Sequence, residues 1–194
     1  MKRIFDIVTS ATALLVLLPL LLVLGIAVFV SSPGGAFFTQ VRIGRHGKPF
    51  GLIKFRTMRP DSEGQGQLTI GGRDPRITGV GRILRRTKSD ELPQLLNILK
   101  GDMSVVGPRP EVPRYVALYS PEQRHVLSVR PGLSSLASIA YINENEILGR
   151  SADPERTYIE EVMPAKLALD LQYVKQQSLA LDLRIVLRTI RRLL

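Results

Sequence analysis

The chain has 194 residues, 27 of them Lys or Arg and 17 Asp or Glu, for a net charge of +10. That length suffices for one domain with a buried core, and the basic excess favours a polyanionic partner: nucleic acid, anionic lipid headgroups or phosphorylated substrates. With no cysteine and only His46 and His125, disulfides and thiolate metal sites are excluded, and any metal is expected to be a hard, oxygen-bound cation, magnesium first.

The first element is apolar. No charged residue falls between Asp6 and Arg42, and the run 7–30 exceeds the roughly 20 residues needed to cross a bilayer. It is too long for a signal peptide, and no small-residue cleavage pattern follows it. Pro19, near the middle, removes a backbone donor and crowds the Leu15 carbonyl. Treated as a break, it leaves about 15 residues before it and about 11 after, each too short to cross ~30 Å at ~1.5 Å per residue. Both flanks are basic: Lys2 and Arg3 on one, and Arg42, Arg45, Lys48, Lys54, Arg56 and Arg59 on the other. A spanning helix should have one basic side. The expectation is a re-entrant helix-break-helix over residues 1–36, both ends on the cytoplasmic face, with Thr9, Ser10 or Thr12 hydroxyls serving the freed carbonyls. A Pro-kinked spanning helix is the alternative.

Residues 37–58, FFTQVRIGRHGKPFGLIKFRTM, read as short strands around a GRHGKP turn. The Gly- and Pro-rich PDSEGQGQLTIGGRDP follows, either a loop able to cover a substrate or a passive connector. A helix is then expected in TKSDELPQLLNILKG, capped by Thr87 or Ser89, with Pro93 in its first turn. Leu92, Leu95, Leu96 and Leu99 would form its core stripe. Asp90 and Glu91 would sit at its N-terminus, where carboxylates are ordinarily good helix chemistry. Here they stand among cations they do not need: Arg82, Arg85, Arg86 and Lys88 before them, Arg109 after them. Arg109 lies in the stiff Gly107-Pro108-Arg109-Pro110 loop, and Arg130 in VRPG repeats the device. A basic rim around a carboxylate suits phosphoryl chemistry with magnesium. The last segment, KLALDLQYVKQQSLALDLRIVLRTIRRLL, is apolar on one face and rich in Arg. It reads equally as a membrane-surface helix or as a core helix with a solvated basic end.

Several strings together resemble one family: KRIFDI with its Pro-broken helix, SPGGAFFTQVRIGRHGKPF, IKFRTM, DPRITGVGRILRRTKSDELPQLLNILKGDMSVVGPRPE, VRPGLSSLASI and DLQYVKQQSLALDLRIVLRTI. They are similar, in order and over nearly the whole chain, to the small monotopic phosphoglycosyl transferases of the bacterial sugar transferase family. The resemblance implies a mixed, helix-rich α/β fold: a compact cytoplasmic catalytic domain over 37–194, with short strands and amphipathic interfacial helices, behind the re-entrant segment. It implies transfer of a phospho-sugar from a UDP-sugar to polyprenol (undecaprenyl) phosphate at the bacterial inner membrane, releasing UMP. On that resemblance Asp90 is the nucleophile and a Mg2+ contact, Glu91 assists the acceptor, and Lys54 and Arg109 contact phosphate. Arg56, Pro110 and Arg130, beside or like these, complete the expected substrate-binding set.

The sequence departs from the family in reading Leu18-Pro19 where Ser-Pro is frequent, and Thr-Lys-Ser before the acidic pair. LSSLASIAYINENEIL resembles a branch distinct from those carrying a Gly-Trp-Ala-Gln string after RPG, a difference whose expected bearing is on sugar choice. A one-step transfer with Asp90 as a metal ligand only is a competing reading. A basic membrane-anchored protein for nucleic acid or anionic lipid is another, disfavoured by only 6% aromatic residues and no recognisable nucleic-acid module. The sugar, the downstream pathway and the oligomeric state, homodimer included, are left open by the sequence.

Overall fold

The computed structural model describes residues 1–31, 33–60, 62, 68 and 74–193. It is a mixed, helix-rich α/β arrangement that opens with one long helix, α1 (Lys2–Ser31), within which Pro19 lies instead of separating two helices. The helix is long and apolar enough to cross a membrane. One stripe of it is docked on the rest of the chain at helical spacing: Asp6 and Ser10 are buried, Ala13 and Leu14 pack on Leu95, Ile98 and Met103, and Leu21, Leu24 and Val28 pack on Phe55 and Leu84. The outward stripe is bare and apolar, with Leu15, Val16, Leu22, Val23 and Ile26 each 59–74% exposed. Soluble surfaces avoid apolar patches this continuous.

The charged start of α1 is a set of internal anchors. Lys2 Nζ pairs with the fully buried Asp182 at 2.7 Å. Arg3 donates to the carbonyls of Ile98 and Leu99 at 2.6 and 2.9 Å, where a helix C-terminus presents unsatisfied acceptors and negative charge. Asp6 Oδ1 accepts from Ser104 Oγ at 2.9 Å and from the Val105 amide at 3.0 Å. Lys2 and Arg3 are thus engaged by the domain, beyond serving as a flanking charge.

The expected strands form an antiparallel hairpin, β1 (Phe37–Ile43) and β2 (Pro49–Phe55), in register from Phe37↔Phe55 to Ile43↔Pro49. His46 and Gly47, at φ 58° and 75°, make its tight turn. The loop expected to cover a substrate lies almost wholly outside the described residues. After it comes α2 (Gly79–Arg86), whose Thr78 cap accepts from the Gly81 amide at 2.9 Å.

The acidic pair is not at the start of an α-helix. Lys88 takes the left-handed conformation (φ 55°) and Ser89–Glu91 form a separate 3-10 turn; α3 begins only at Gln94 and runs to Lys100. Thr87 Oγ1 binds back to the Ile83 and Leu84 carbonyls, closing α2 instead of opening α3. The core face of α3 also differs from the expected leucine stripe: Gln94, Leu95, Asn97 and Ile98 are buried, while Leu96 is 41% exposed.

Two short strands, β3 (Ser104–Val106) and β4 (Gly132–Ser134), pair in parallel, with α4 (Pro113–Val116) between them in sequence. Small helices α5 (Leu136–Ala140), α6 (Glu144–Gly149) and α7 (Pro154–Thr157) follow. A π-turn, Tyr158–Val162, then leads into α8 (Met163–Gln176) and α9 (Leu179–Leu193). The largest core cluster joins α4, α6 and α8 through Val112, Tyr115, Leu148, Tyr158 and Leu167. Ile185 of α9 packs on Tyr173 and Val106, whereas Leu183, Leu187 and Ile190 on its other side are 49–57% exposed. α9 therefore has one face in the core and one apolar face bare among Arg184, Arg188 and Arg191.

Candidate active site

The hairpin and α3 together set Lys54 beside Asp90. The agent is Asn97, 1% exposed on α3. Its Oδ1 accepts from the Ile53 amide at 3.0 Å and its Nδ2 donates to the Gly51 carbonyl at 2.7 Å. The side-chain amide thereby completes the outer edge of β2 as a further strand would, and Lys54 is the next residue along. Burial, with Arg42 and Arg85 nearby, lowers the Lys54 pKa to about 8, against the opposing pull of Asp90 and Glu91.

Asp90 and Glu91 leave one 3-10 turn into different surroundings. Asp90 is 8% exposed, and its Oδ1 has no hydrogen-bond partner among the described residues. Burial and the charge of Glu91 raise its pKa above the usual carboxylate value, with Arg85, Lys54 and Lys88 opposing. Burial also pushes Glu91 upward, but Arg109 outweighs it and the net shift is down. Arg109 grips Glu91 with a fork, Nη2 to Oε1 at 2.7 Å and Nη1 to Oε2 at 3.4 Å, the bidentate geometry that guanidinium favours. The left-handed Lys88 reverses the chain ahead of this turn, a conformation that costs on the order of 1 kcal/mol for a residue with a Cβ.

The loop carrying Arg109 is held from behind by α8. Asp170 Oδ2 accepts from the Arg109 amide at 3.3 Å, and the Tyr173 hydroxyl, one turn on, donates to the Val106 carbonyl at 3.1 Å. Asp170 is 4% exposed, and burial raises its pKa to about 7. At Gly107, a Cβ would stand 2.4 Å from the Arg130 carbonyl oxygen, so only glycine permits this approach of the two loops.

These groups face one cavity of about 950 Å³, lined by Lys54, Arg56, Asp90, Glu91, Arg109 and Pro110 among others. That volume is at the upper end for a small-molecule site. Arg42, Arg85 and Lys88 add to its basic rim, while Val105, Leu133, Ile139, Val186 and Ile190 give it an apolar wall toward α9. Of the expected binding residues, Arg56 reaches the cavity but also donates to the Gly35 and Phe37 carbonyls. Arg130 is outside the cavity lining and donates to the Gly101 carbonyl at 2.8 Å, latching the 130–132 loop to the end of α3. Sequence reasoning missed Asn97 and Asp170. A polar residue recurring within an apolar helical stripe is the signal that could have marked both.

Among the described residues no three acidic or histidine side chains gather as a metal cage. Magnesium needs less: one or two carboxylates, completed by water and substrate phosphates. Asp90, with its unpartnered oxygen, fits that requirement; Glu91, already paired, does not. The arrangement offers a buried carboxylate with an unpartnered oxygen, a rim of cations suited to phosphate, and an adjoining apolar surface.

A sequence model of the family described as bacterial sugar transferase matches residues 1–194. Among curated proteins, a UDP-glucose:undecaprenyl-phosphate glucose-1-phosphate transferase of Caulobacter vibrioides is 41% identical over 196 residues, covering 100% of this chain and 69% of its own length. A UDP-N-acetylgalactosamine-undecaprenyl-phosphate N-acetylgalactosaminephosphotransferase of Aeromonas hydrophila is 38% identical over 198 residues, with 100% of this chain matched to 43% of that protein. The exopolysaccharide production protein PSS of Rhizobium leguminosarum bv. phaseoli is 41% identical over 197 residues, covering 98% and 93% respectively. The chain thus spans less than half of the Aeromonas protein and most of the other two.

Proposed function

The chain belongs to the bacterial sugar transferase family, and from that premise we propose that it transfers a phospho-sugar from a UDP-sugar to polyprenol phosphate. The products are UMP and a polyprenyl-diphosphate-sugar, the first membrane step of glycoconjugate assembly. The observation that carries this reading is the buried Asp90 carboxylate, one oxygen of which has no partner among the described residues; the residue lines a cavity with phosphate-seeking cations on one side and an apolar wall on the other. The relatives named as UDP-sugar:undecaprenyl-phosphate transferases support the substrate class.

Two displacements fit the side chains. Asp90 attacks the sugar-bearing β-phosphorus, the bond from that phosphorus to the bridging oxygen breaks, and UMP leaves with the electron pair. A phosphate oxygen of the polyprenol phosphate then attacks the same phosphorus, breaking the acyl-phosphate bond and restoring the Asp90 carboxylate. Lys54, Arg85 and Lys88 hold the phosphates, since two anions do not otherwise approach. Glu91, oriented by Arg109, assists the incoming acceptor. A bound Mg2+ at Asp90 and the diphosphate would neutralise charge that develops on the leaving group.

The membrane arrangement that best fits is re-entrant, with the domain on the cytoplasmic face. α1 is ~45 Å long at ~1.5 Å per residue. Near its start it contacts α3 and β3, and near its end it contacts β2 and α2. Both ends stay with one domain, whereas a spanning helix carries one end ~30 Å away across the bilayer. The chain has no cysteine, so single Ile4→Cys and Val30→Cys variants in intact cells report on this directly. Neither should react with an impermeant maleimide added outside; labelling of one position only would favour the spanning helix.

The reaction itself is tested by supplying UDP-sugars with undecaprenyl phosphate and Mg2+ and following UMP and lipid-linked sugar. Both should form in equal amounts. Salt-sensitive binding to DNA, with no UMP from any UDP-sugar, would instead support the basic binding-protein alternative.

A further inference from the structure

One stretch of the cavity wall carries charges that the two displacements do not use. Glu144 and Asn145 open α6, and Lys166 lies on α8. Lys166 Nζ pairs with Glu144 Oε2 at 2.5 Å, their side chains only 11% and 25% exposed. The Lys166 ammonium also stands 5.4 Å from the Tyr158 ring centroid. The Tyr158 hydroxyl donates to Glu111 Oε2 at 2.5 Å, and Glu111 Oε1 accepts from Arg42 at 3.0 Å. All of these side chains line the cavity that Asp90 faces. Glu144 and Glu111 lie close enough to add to the field by which Glu91 holds Arg109 charged. The cluster therefore starts where the phosphate-gripping residues end.

Such a pair is not there for stability. A mostly buried ion pair is usually matched or bettered by apolar residues filling the same space, and α6 already supplies a buried apolar anchor in Leu148. What the pair offers is unused hydrogen-bonding capacity. Glu144 keeps a second carboxylate oxygen, Lys166 keeps further N–H donors, and Asn145 is both donor and acceptor. Alternating donors and acceptors match a ring of hydroxyls, each of which donates and accepts. They do not match a diphosphate, which the carboxylates repel, and the apolar wall of Val186 and Ile190 offers hydroxyls nothing.

We infer that Glu144, Asn145 and Lys166 form the hexose-reading subsite and select which UDP-sugar is turned over. The inference rests on the phospho-sugar transfer proposed above. It also gives a place to LSSLASIAYINENEIL, the segment that departs from the more frequent family pattern: Ser138, Tyr141, Glu144 and Asn145 from it face the cavity.

The test uses the full chain in detergent with undecaprenyl phosphate and Mg2+, and a panel of UDP-glucose, UDP-galactose, UDP-N-acetylglucosamine and UDP-N-acetylgalactosamine. Glu144→Gln keeps the side-chain volume and Asn145→Ala is a second, smaller change, so loss of folding in one leaves the other. In at least one variant the ratio of kcat/KM between the two best wild-type sugars should change about tenfold or more, the scale of one discriminating polar contact. Inhibition by UMP should stay within about twofold of wild type, since the nucleotide is held elsewhere. Preserved sugar ratios in both variants would overturn the inference. So would a UMP inhibition constant that moves as far as kcat/KM, which would assign this wall to the nucleotide. Failure of the wild-type protein to release UMP from any UDP-sugar would overturn the transfer reading itself, and with it the inference.

Discussion

Asp90 and Glu91 are adjacent in sequence and both largely withdrawn from bulk water, Asp90 the more so, yet the two halves of the site treat them differently. On the β2 side, Asp90 meets Lys54 and Arg85 as neighbours in the field and keeps an oxygen without a partner. On the Gly107–Pro110 side, Glu91 is already forked by Arg109. A buried carboxylate oxygen left unpaired costs stability, and of this acidic pair it is Asp90 that carries the cost. On the proposed mechanism, the half that reacts is left incomplete until substrate arrives, while the half that orients is finished beforehand. The pKa shifts follow the same division, up for Asp90 and down for Glu91.

The division predicts unequal consequences of substitution. Asp90→Asn should lower turnover by about 10⁴-fold or more, since an amide cannot form the acyl phosphate; UMP release reads this. Glu91→Gln should slow turnover by about 10²-fold while leaving a stoichiometric first release of UMP without acceptor. Equal loss of both phases would erase the distinction between the two carboxylates. The pH profile of kcat/KM should be bell-shaped. On its acid side Asp90 is protonated and cannot attack, at a pH above the usual carboxylate range. Above pH about 8 Lys54 loses its charge and with it its hold on phosphate. Lys54→Arg, charged throughout, should move the alkaline limb upward.

Smaller effects should come from the supports behind each half. Asn97→Asp keeps an acceptor for the Ile53 amide but loses the donor to Gly51 and places a carboxylate beside Asp102, within 3.2 Å of the present Nδ2. Roughly tenfold lower kcat/KM is expected, with a displaced alkaline limb that simple destabilisation would not produce. Asp170 has a raised pKa of about 7, so its ionisation opposes folding. Its neutral form is fully tolerated below the unfolded value near 4, and the cost grows as pH rises from there to about 7. Asp170→Asn, which keeps an acceptor for the Arg109 amide, should gain in Tm relative to wild type across that interval. A Tm difference independent of pH would show that Asp170 does not titrate there.

The sequence reading and the structure part company where backbone direction and distant partners decide. Alternation in FFTQVRI and the GRHGKP turn sufficed for the hairpin, because period-two burial and turn chemistry are local signals. The helix start at the acidic pair was misplaced because nothing in TKSDEL announces that Lys88 adopts φ 55°, the geometry glycine ordinarily takes. Asp90, Glu91, Lys54 and Arg109 were all legible through family resemblance and do meet at one cavity. The expectation for Arg130 rests on its VRPG loop alone; its Nε donates to the Gly101 carbonyl and the residue is outside the cavity lining. The Asn97, Asp170 and Glu144–Lys166 contacts join residues far apart in the chain or on separate elements, and spacing does not encode them.

The central claim is that Asp90 stays unpaired because it is the group that becomes covalently bound. Incubation of the full chain with Mg2+ and UDP-sugar labelled in the sugar, with no lipid acceptor, tests it most directly. One label per chain on the peptide containing Asp90, with one equivalent of UMP, is the expected result. UMP that forms only once polyprenol phosphate is added, with no label retained on the protein, would contradict it.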